Sequence, residues 1–273
     1  MARAVNELSD DGLTTQIREA YDRSAGAWAS GPSAVYRQLA DELVALETAR
    51  LVGQRVLDLG AGTGVASEAL TAIGARPIGL DLAVQMLAHR QEARPPGVAG
   101  DAQSLPFGHG VFDAVVAAFS LNHVPDLARS LGECRRVLRP RGLLLASTFP
   151  SGADHPAEAV VEGVLERYGY RRPSWYGTFK TRISELTGDP GSFGRTARDV
   201  GFAEVRVHEL EVEAGLDEPR RAADWRLNMP HTLAFVSTLE PATRARLHDE
   251  TCRALGEGLP SSLPMLVLSA QVT

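Results

Sequence analysis

Residues 55–64, RVLDLGAGTG, set a short apolar run directly against three glycines on alternate positions. A run of that length reads as a strand covered on both faces, and glycines behind it let the backbone approach a ligand while helix N-terminal amides point at it. The same alternation continues downstream. RPIGLD (76–81), a short strand at 98–100, VFDAVVAAF (111–119) and GLLLASTF (142–149) are further apolar runs with helical stretches between them. One such stretch begins at Gly64 and ends before Gly74. Another begins near Asp126, is apolar on its Leu127 face, carries Arg135, Arg136 and Arg139 in its last turn and stops at Pro140-Arg141-Gly142. This order predicts an α/β fold with a doubly wound, Rossmann-like sheet built from βαβ units.

Around that core the pattern is helical. Leu13, Ile17, Tyr21 and Trp28 share a face, Gly31-Pro32 breaks it, and Val35, Leu39, Leu43 and Leu46 start a second stripe, so residues 1–50 are expected to form lid helices over a cofactor-binding core at 51–150. Beyond 150 the alternation lapses. Residues 151–188 hold the helical AEAVVEGVLERYGY and the aromatic, basic RRPSWYGTFKTR; a helix over 189–200 and the strand FAEVRVHEL (202–210) follow. A helical insertion at 216–257 then precedes the strand LPMLVLSAQ (263–271). The whole of 1–273 is expected to be one domain, with 151–188 and 216–257 as substrate-cap insertions.

Composition narrows the partners. A formal net charge of −6, with no block of Lys or Arg, argues against nucleic acid. The start, MARAVNELSDDGLTTQ, lacks the apolar stretch of a signal peptide and no window has the length of a membrane span, so a cytoplasmic protein with no membrane partner is expected. Two cysteines make no disulfide scaffold, and Cys134, in line with Leu127, Leu131 and Leu138, reads as a core residue. Oligomeric state leaves no signature.

The glycines choose among nucleotide-like ligands. A dinucleotide fingerprint needs G-x-G-x-x-G, but after Gly60 and Gly62 its third position is Val65, so the pattern is G-x-G-x-G and a nicotinamide oxidoreductase is disfavoured. Asp58, at the strand end, would repel a pyrophosphate and accept hydrogen bonds from an ammonium. Asp81 closes the next strand, where a carboxylate can take ribose hydroxyls, and Asp101 follows the third, where it can accept from an adenine amino group.

Taken in order, AYDRSAGAW, DLGAGTG, GLDLAVQML, GDAQSLPF, FDAVVAAFSLNHVPD and RVLRPRGLLL make residues 15–150 resemble a class I S-adenosylmethionine-dependent methyltransferase of the small-molecule kind, similar to the ubiquinone/menaquinone methyltransferase group and natural-product enzymes. The resemblance implies a mostly parallel sheet with an antiparallel last strand, and S-adenosyl-L-methionine as cofactor. It places Asp58, Gly60, Ala61, Gly62 and Gly64 around the methionine end, Asp81 at ribose and Leu82, Asp101 and Ala102 at adenine, with Met86 and Phe119 completing the set. Ala83 departs from the serine common in the family. The expected reaction is methylation of a small molecule, a hydroxyl of a secondary metabolite; the alternative is a protein that keeps the cofactor fold for a non-methylating step such as a cyclisation.

His123, in LNHVPD beyond the fourth strand, stands where a reactive centre would lie, and its ordinary pKa near 6.5 suits a base. Tyr21 is the second catalytic candidate, either capping the cofactor or packing on the Ile17 face. Asn122, His123, Trp175, Tyr176, Trp225 and Met229 are the expected substrate contacts, drawn from LNHVPD and the two irregular segments, which also carry Tyr168, Tyr170, Phe179, His231 and Phe235. The remaining histidines, 89, 109, 155, 208 and 248, read as surface residues, and no metal site is expected.

Overall fold

The computed structural model describes residues 9–89 and 91–273; the first eight residues of the expected lid segment lie outside them. Among the described residues the chain begins with α1 (Asp10–Ser30), α2 (Pro32–Ala45) and α3 (Thr48–Leu51). The core follows as β1 (Arg55–Leu59), α4 (Val65–Ala72), β2 (Arg76–Asp81), α5 (Val84–Ala88), β3 (Gly97–Ala99), β4 (Phe112–Ala118), α6 (Leu127–Val137) and β5 (Leu138–Thr148). Then come α7 (Pro156–Arg167), α8 (Ser174–Thr178), α9 (Ser184–Gly188), α10 (Pro190–Asp199), β6 (Ala203–Glu213), α11 (Pro219–Leu227), α12 (Pro230–Val236), α13 (Pro241–Leu255) and β7 (Ser262–Gln271).

Local chemistry sets these limits. Ser9 caps α1 by accepting from the Gly12 amide, with Asp10 and Asp11 in the first turn, and Asp126 caps α6 by accepting from Arg129 N at 2.9 Å. Gly31 ends α1 and Pro32 opens α2, as the sequence predicts. Helix α6 ends two residues earlier than expected, at Val137: Arg139 belongs to β5, and its guanidinium pairs with Asp113 at 2.7 Å.

The strands form one sheet in the order β3-β2-β1-β4-β5-β7-β6, parallel throughout except for β7, which runs antiparallel to both β5 and β6. Alternate residues feed two separate cores because side chains switch face at every step along a strand. Val56, Val116, Leu145 and Val267 pack under α2, α4, α7 and α11; Leu57, Val115, Leu144 and Leu268 pack on the other face against α6 and α10. A third, small cluster joins Leu13 and Ile17 of α1 to Tyr176, Phe179 and Ile183, so the N-terminal helix and the segment 176–183 meet above the sheet. No helix among the described residues is long and apolar enough to cross a membrane.

Candidate active site

The sheet order reverses between β1 and β4, and a crevice lies beyond their carboxyl ends. The glycine loop fills one wall. Gly60 and Ala61 donate their amides to Leu80 O at 2.7 and 2.9 Å, and Gly62 donates to Asp81 Oδ2 at 2.7 Å. Gly60 sits at φ 72°, and a Cβ added there would come within 2.2 Å of Ser120 Cβ, so only glycine allows the loop to lie this close to the end of β4. Ser120 Oγ fixes that contact by donating to Leu59 O at 2.6 Å.

The acids divide. Asp81 lines the crevice with Leu82 and Met86; its Oδ1 accepts from Ala83 N at 2.8 Å, and burial holds its carboxyl above the usual range against the pull of the Ala83 and Gly62 amides. Asp101 and Ala102 lie opposite, with Asp101 Oδ1 accepting from Gln103 N at 2.8 Å. Asp58 does not reach the crevice. It is 1% exposed behind the loop; Ser67 Oγ donates to its Oδ2, while Oδ1 has no partner among the described residues. Burial pushes its carboxyl up to about 6. Gly64 also faces away, toward the Arg94 guanidinium. Gly60, Ala61, Gly62 and Phe119 do line the crevice, whose cavity volume is about 150 Å³.

A second cavity of about 360 Å³ opens beyond it, and Tyr21, Tyr36 and His123 line both. These three form the boundary. Asn122, Trp175, Tyr176, Trp225 and Met229, expected as substrate contacts, all line the second cavity, together with Arg226, Lys180 and Phe179. His123 is held from every side. Its Nδ1 lies 3.0 Å from Asn122 Oδ1, which can only accept, so Nδ1 carries the hydrogen and Nε2 accepts from the Tyr21 hydroxyl at 2.8 Å. Phe179 stacks on the imidazole at 4.7 Å and 19°.

Two expectations need correction here. The His123 pKa is not the ordinary one: burial pushes it down to about 4, so the ring is neutral throughout the physiological range. His155 is not on the surface but 6% exposed; it caps α7 through Nδ1, which accepts from Ala157 N, while Nε2 donates to Pro260 O at 2.9 Å. Among the other four, His109 and His208 are exposed and His89 and His248 half-buried. Of the further aromatics, Tyr170 and Phe235 pack together away from the cavity. Tyr36 escaped the sequence reading because it stands beside Val35 on the apolar side of α2, where an aromatic reads as core. Its ring does pack against Trp28 and Phe119, yet it also faces both cavities.

Comparison with known proteins points the same way. Residues 57–146 match the methyltransferase domain family. A demethylmenaquinone methyltransferase of Mycolicibacterium gilvum is 36% identical over 152 residues, which cover 56% of this chain and 63% of that protein. One from Mycobacterium bovis is 48% identical over 116 residues, covering 42% and 48%. The matched stretches thus span between 48% and 63% of these relatives. Among solved structures, a S-adenosylmethionine-dependent methyltransferase from Thermotoga maritima, described as a possible histamine N-methyltransferase, superposes with a TM-score of 0.57 at 17% identity over 93% of this chain and 99% of that one. The [4+2]-cyclase SpnF does so at 0.53 and 21% identity, over 86% and 80%. At such identities both establish the fold alone.

Proposed function

We propose that the chain is a class I S-adenosylmethionine-dependent methyltransferase, a reading supported by the methyltransferase-domain match over residues 57–146, and that it methylates a hydroxyl of a small secondary metabolite seated in the second cavity. The crevice suits the cofactor on its own chemistry. A loop with left-handed glycines and no room for a Cβ at Gly60 can approach a ligand closely. Asp81 keeps lone pairs for ribose hydroxyls, and the buried Asp58, with one oxygen unpartnered, favours a cationic ligand over a pyrophosphate. Leu82, Met86 and Ala102 offer an apolar surface to a base.

When bound, the cofactor supplies an electrophilic methyl group on a positively charged sulfur. The protein's own task is to hold the acceptor in line and keep water out, and orientation of that kind supplies up to roughly 7–11 kcal/mol. Transfer of that methyl group would leave the cofactor as a neutral thioether, so the acceptor hydroxyl has only its own proton to lose. The hydroxyl proton passes to Tyr21 Oη while the tyrosine's proton passes to His123 Nε2. A histidine whose pKa burial holds near 4 releases that proton readily to water, returning the pair to its starting state.

The observation that carries this reading is the Tyr21–His123 hydrogen bond on the boundary shared by both cavities. Incubation with methyl-labelled S-adenosylmethionine and a panel of hydroxyl-bearing metabolites tests it. Label in an ether product supports it; an acceptor converted without label replaces it with a cyclase-type role.

A further inference from the structure

One wall of the second cavity is a run of near-parallel rings. His123 stacks on Phe179 at 4.7 Å, Phe179 on Tyr176 at 5.5 Å and 28°, and Tyr176 on His231 at 3.7 Å and 8°. A wall of this kind accepts a flat, ring-bearing molecule lying along it. It also runs from the reactive pair to a cluster of buried charge.

At that far end Arg226, 6% exposed, lies over the Trp225 ring at 5.0 Å and reaches one carboxylate, Glu158, at 3.2 Å. Lys180, the only lysine in the chain, reaches the same Glu158 at 3.5 Å. Two cations therefore share one half-buried acid. The other acids nearby do not change the balance: Asp154, which pairs with Lys180, is 65% exposed, Glu185 is exposed, and Glu162 is taken by Arg172. Solvent screens acids at the mouth far more than it screens a guanidinium inside. Burial works against the Arg226 charge, yet Glu158, Tyr176 and Tyr36 together hold it protonated. His231 cannot supply a negative partner, and burial followed by the nearby Arg226, Arg172 and Lys180 keeps it neutral.

Resting on the reading of this cavity as the acceptor site, we propose that the acceptor is a flat aromatic molecule carrying a carboxylate, which Arg226 and Lys180 bind at the end of the ring wall remote from Tyr21 and His123. A carboxylate there gives the buried guanidinium a planar, charged acceptor and adds a second negative charge to two cations that share Glu158. An ammonium in the same place would face two like charges.

The test uses the full chain saturated with S-adenosylhomocysteine and three probes of one shape: 6-hydroxy-2-naphthoate, 2-naphthol and 6-aminomethyl-2-naphthol, titrated by calorimetry. The naphthoate should bind at least ten-fold tighter than 2-naphthol, and the amine should bind weakest. Arg226→Met and Lys180→Met should each bring the naphthoate toward the affinity of 2-naphthol. Should the buried Arg226→Met fail to fold, Lys180→Met, at a residue 28% exposed, decides alone. Equal or weaker binding of the naphthoate, a preference that survives Lys180→Met, or no binding of any probe at millimolar concentration overturns the proposal. Failure to bind S-adenosylhomocysteine, titrated separately, would count against the methyltransferase reading and leave the probe preference to stand or fall by itself.

Discussion

The phenol oxygen of Tyr21 lies 2.8 Å from Nε2 of His123, joining a helix before the sheet to the loop after β4 across 102 residues of sequence. Because Asn122 orients the other nitrogen, the imidazole accepts from the tyrosine, and the two side chains form one hydrogen-bonded pair. Asp22, next to Tyr21, ties the same helix down by accepting from Gln85 N at 2.8 Å. The N-terminal helix is therefore part of the site and not merely its cover.

If the pair acts as a unit, Tyr21→Phe and His123→Gln should each lower the methyl-transfer rate by about 10²–10⁴ while leaving S-adenosylhomocysteine affinity within a few-fold. The double variant should be scarcely worse than either single one, because the second change removes a path already broken. Independent, multiplying losses would show that the two residues serve different steps.

The pH profile separates this site from an ordinary histidine base. With the His123 pKa at about 4, the rate should stay level through pH 6.5 and fall only as pH approaches 4. Stability follows the same sign. Between about 4 and 6.5 the unfolded chain takes up a proton that the folded one refuses, so stability is full above 6.5 and declines as pH falls through that window. A rate that halves near 6.5 in steady-state assays would contradict the buried, neutral ring.

The sheet was legible because continuous apolar runs such as VFDAVVAAF and the G-x-G-x-G turn leave few alternatives, and the three acids mark strand ends by position alone. What the pattern could not give was depth. Asp58 and Asp81 look equivalent in sequence, yet Ser67 of α4 draws the first behind the loop while backbone amides hold the second at the crevice. His155 resembled a surface residue because nothing local announces a cap whose second nitrogen meets Pro260 O, 105 residues away. Arg226 and Lys180 likewise gain their meaning only when α7 brings Glu158 between them.

Asp81 holds the loop as well as facing the ligand, so its loss should act twice. In Asp81→Ala the Gly62 and Ala83 amides lose their acceptor together with any ribose contact. Calorimetry with S-adenosylhomocysteine should show a weakening of roughly 1.5–3 kcal/mol or more in a folded protein. An unchanged affinity would place the ribose elsewhere.

The first two loop glycines should differ sharply in tolerance. Gly62 at φ 51° has only the Met86 methyl near a new Cβ, at 3.5 Å, so Gly62→Ala carries mainly the left-handed backbone cost of about 1–2 kcal/mol. Gly60→Ala adds a collision with Ser120 Cβ that no rotamer relieves. Thermal unfolding and cofactor titration should therefore both rank Gly60→Ala well below Gly62→Ala, and the reverse order would refute the close approach of β1 and β4.

Asp58 offers the clearest case of stability set against binding. Its carboxyl, raised from 3.8 to about 6 by burial, is easier to ionise in the unfolded chain than in the folded one. Stability from this group is thus full below about 3.8 and lost as pH rises through 6, a loss of about 3 kcal/mol at neutral and higher pH. Asp58→Asn keeps the shape and removes the charge, so denaturation at pH 8 should find the variant more stable by up to about 3 kcal/mol, with the gain vanishing near pH 4. The same variant should bind S-adenosylhomocysteine more weakly, since the Asp58 charge behind the loop, with Oδ1 unpartnered, favours a ligand ammonium. A variant that is less stable than the parent at pH 8 would mean that Ser67 and Arg94 already compensate the buried charge in full.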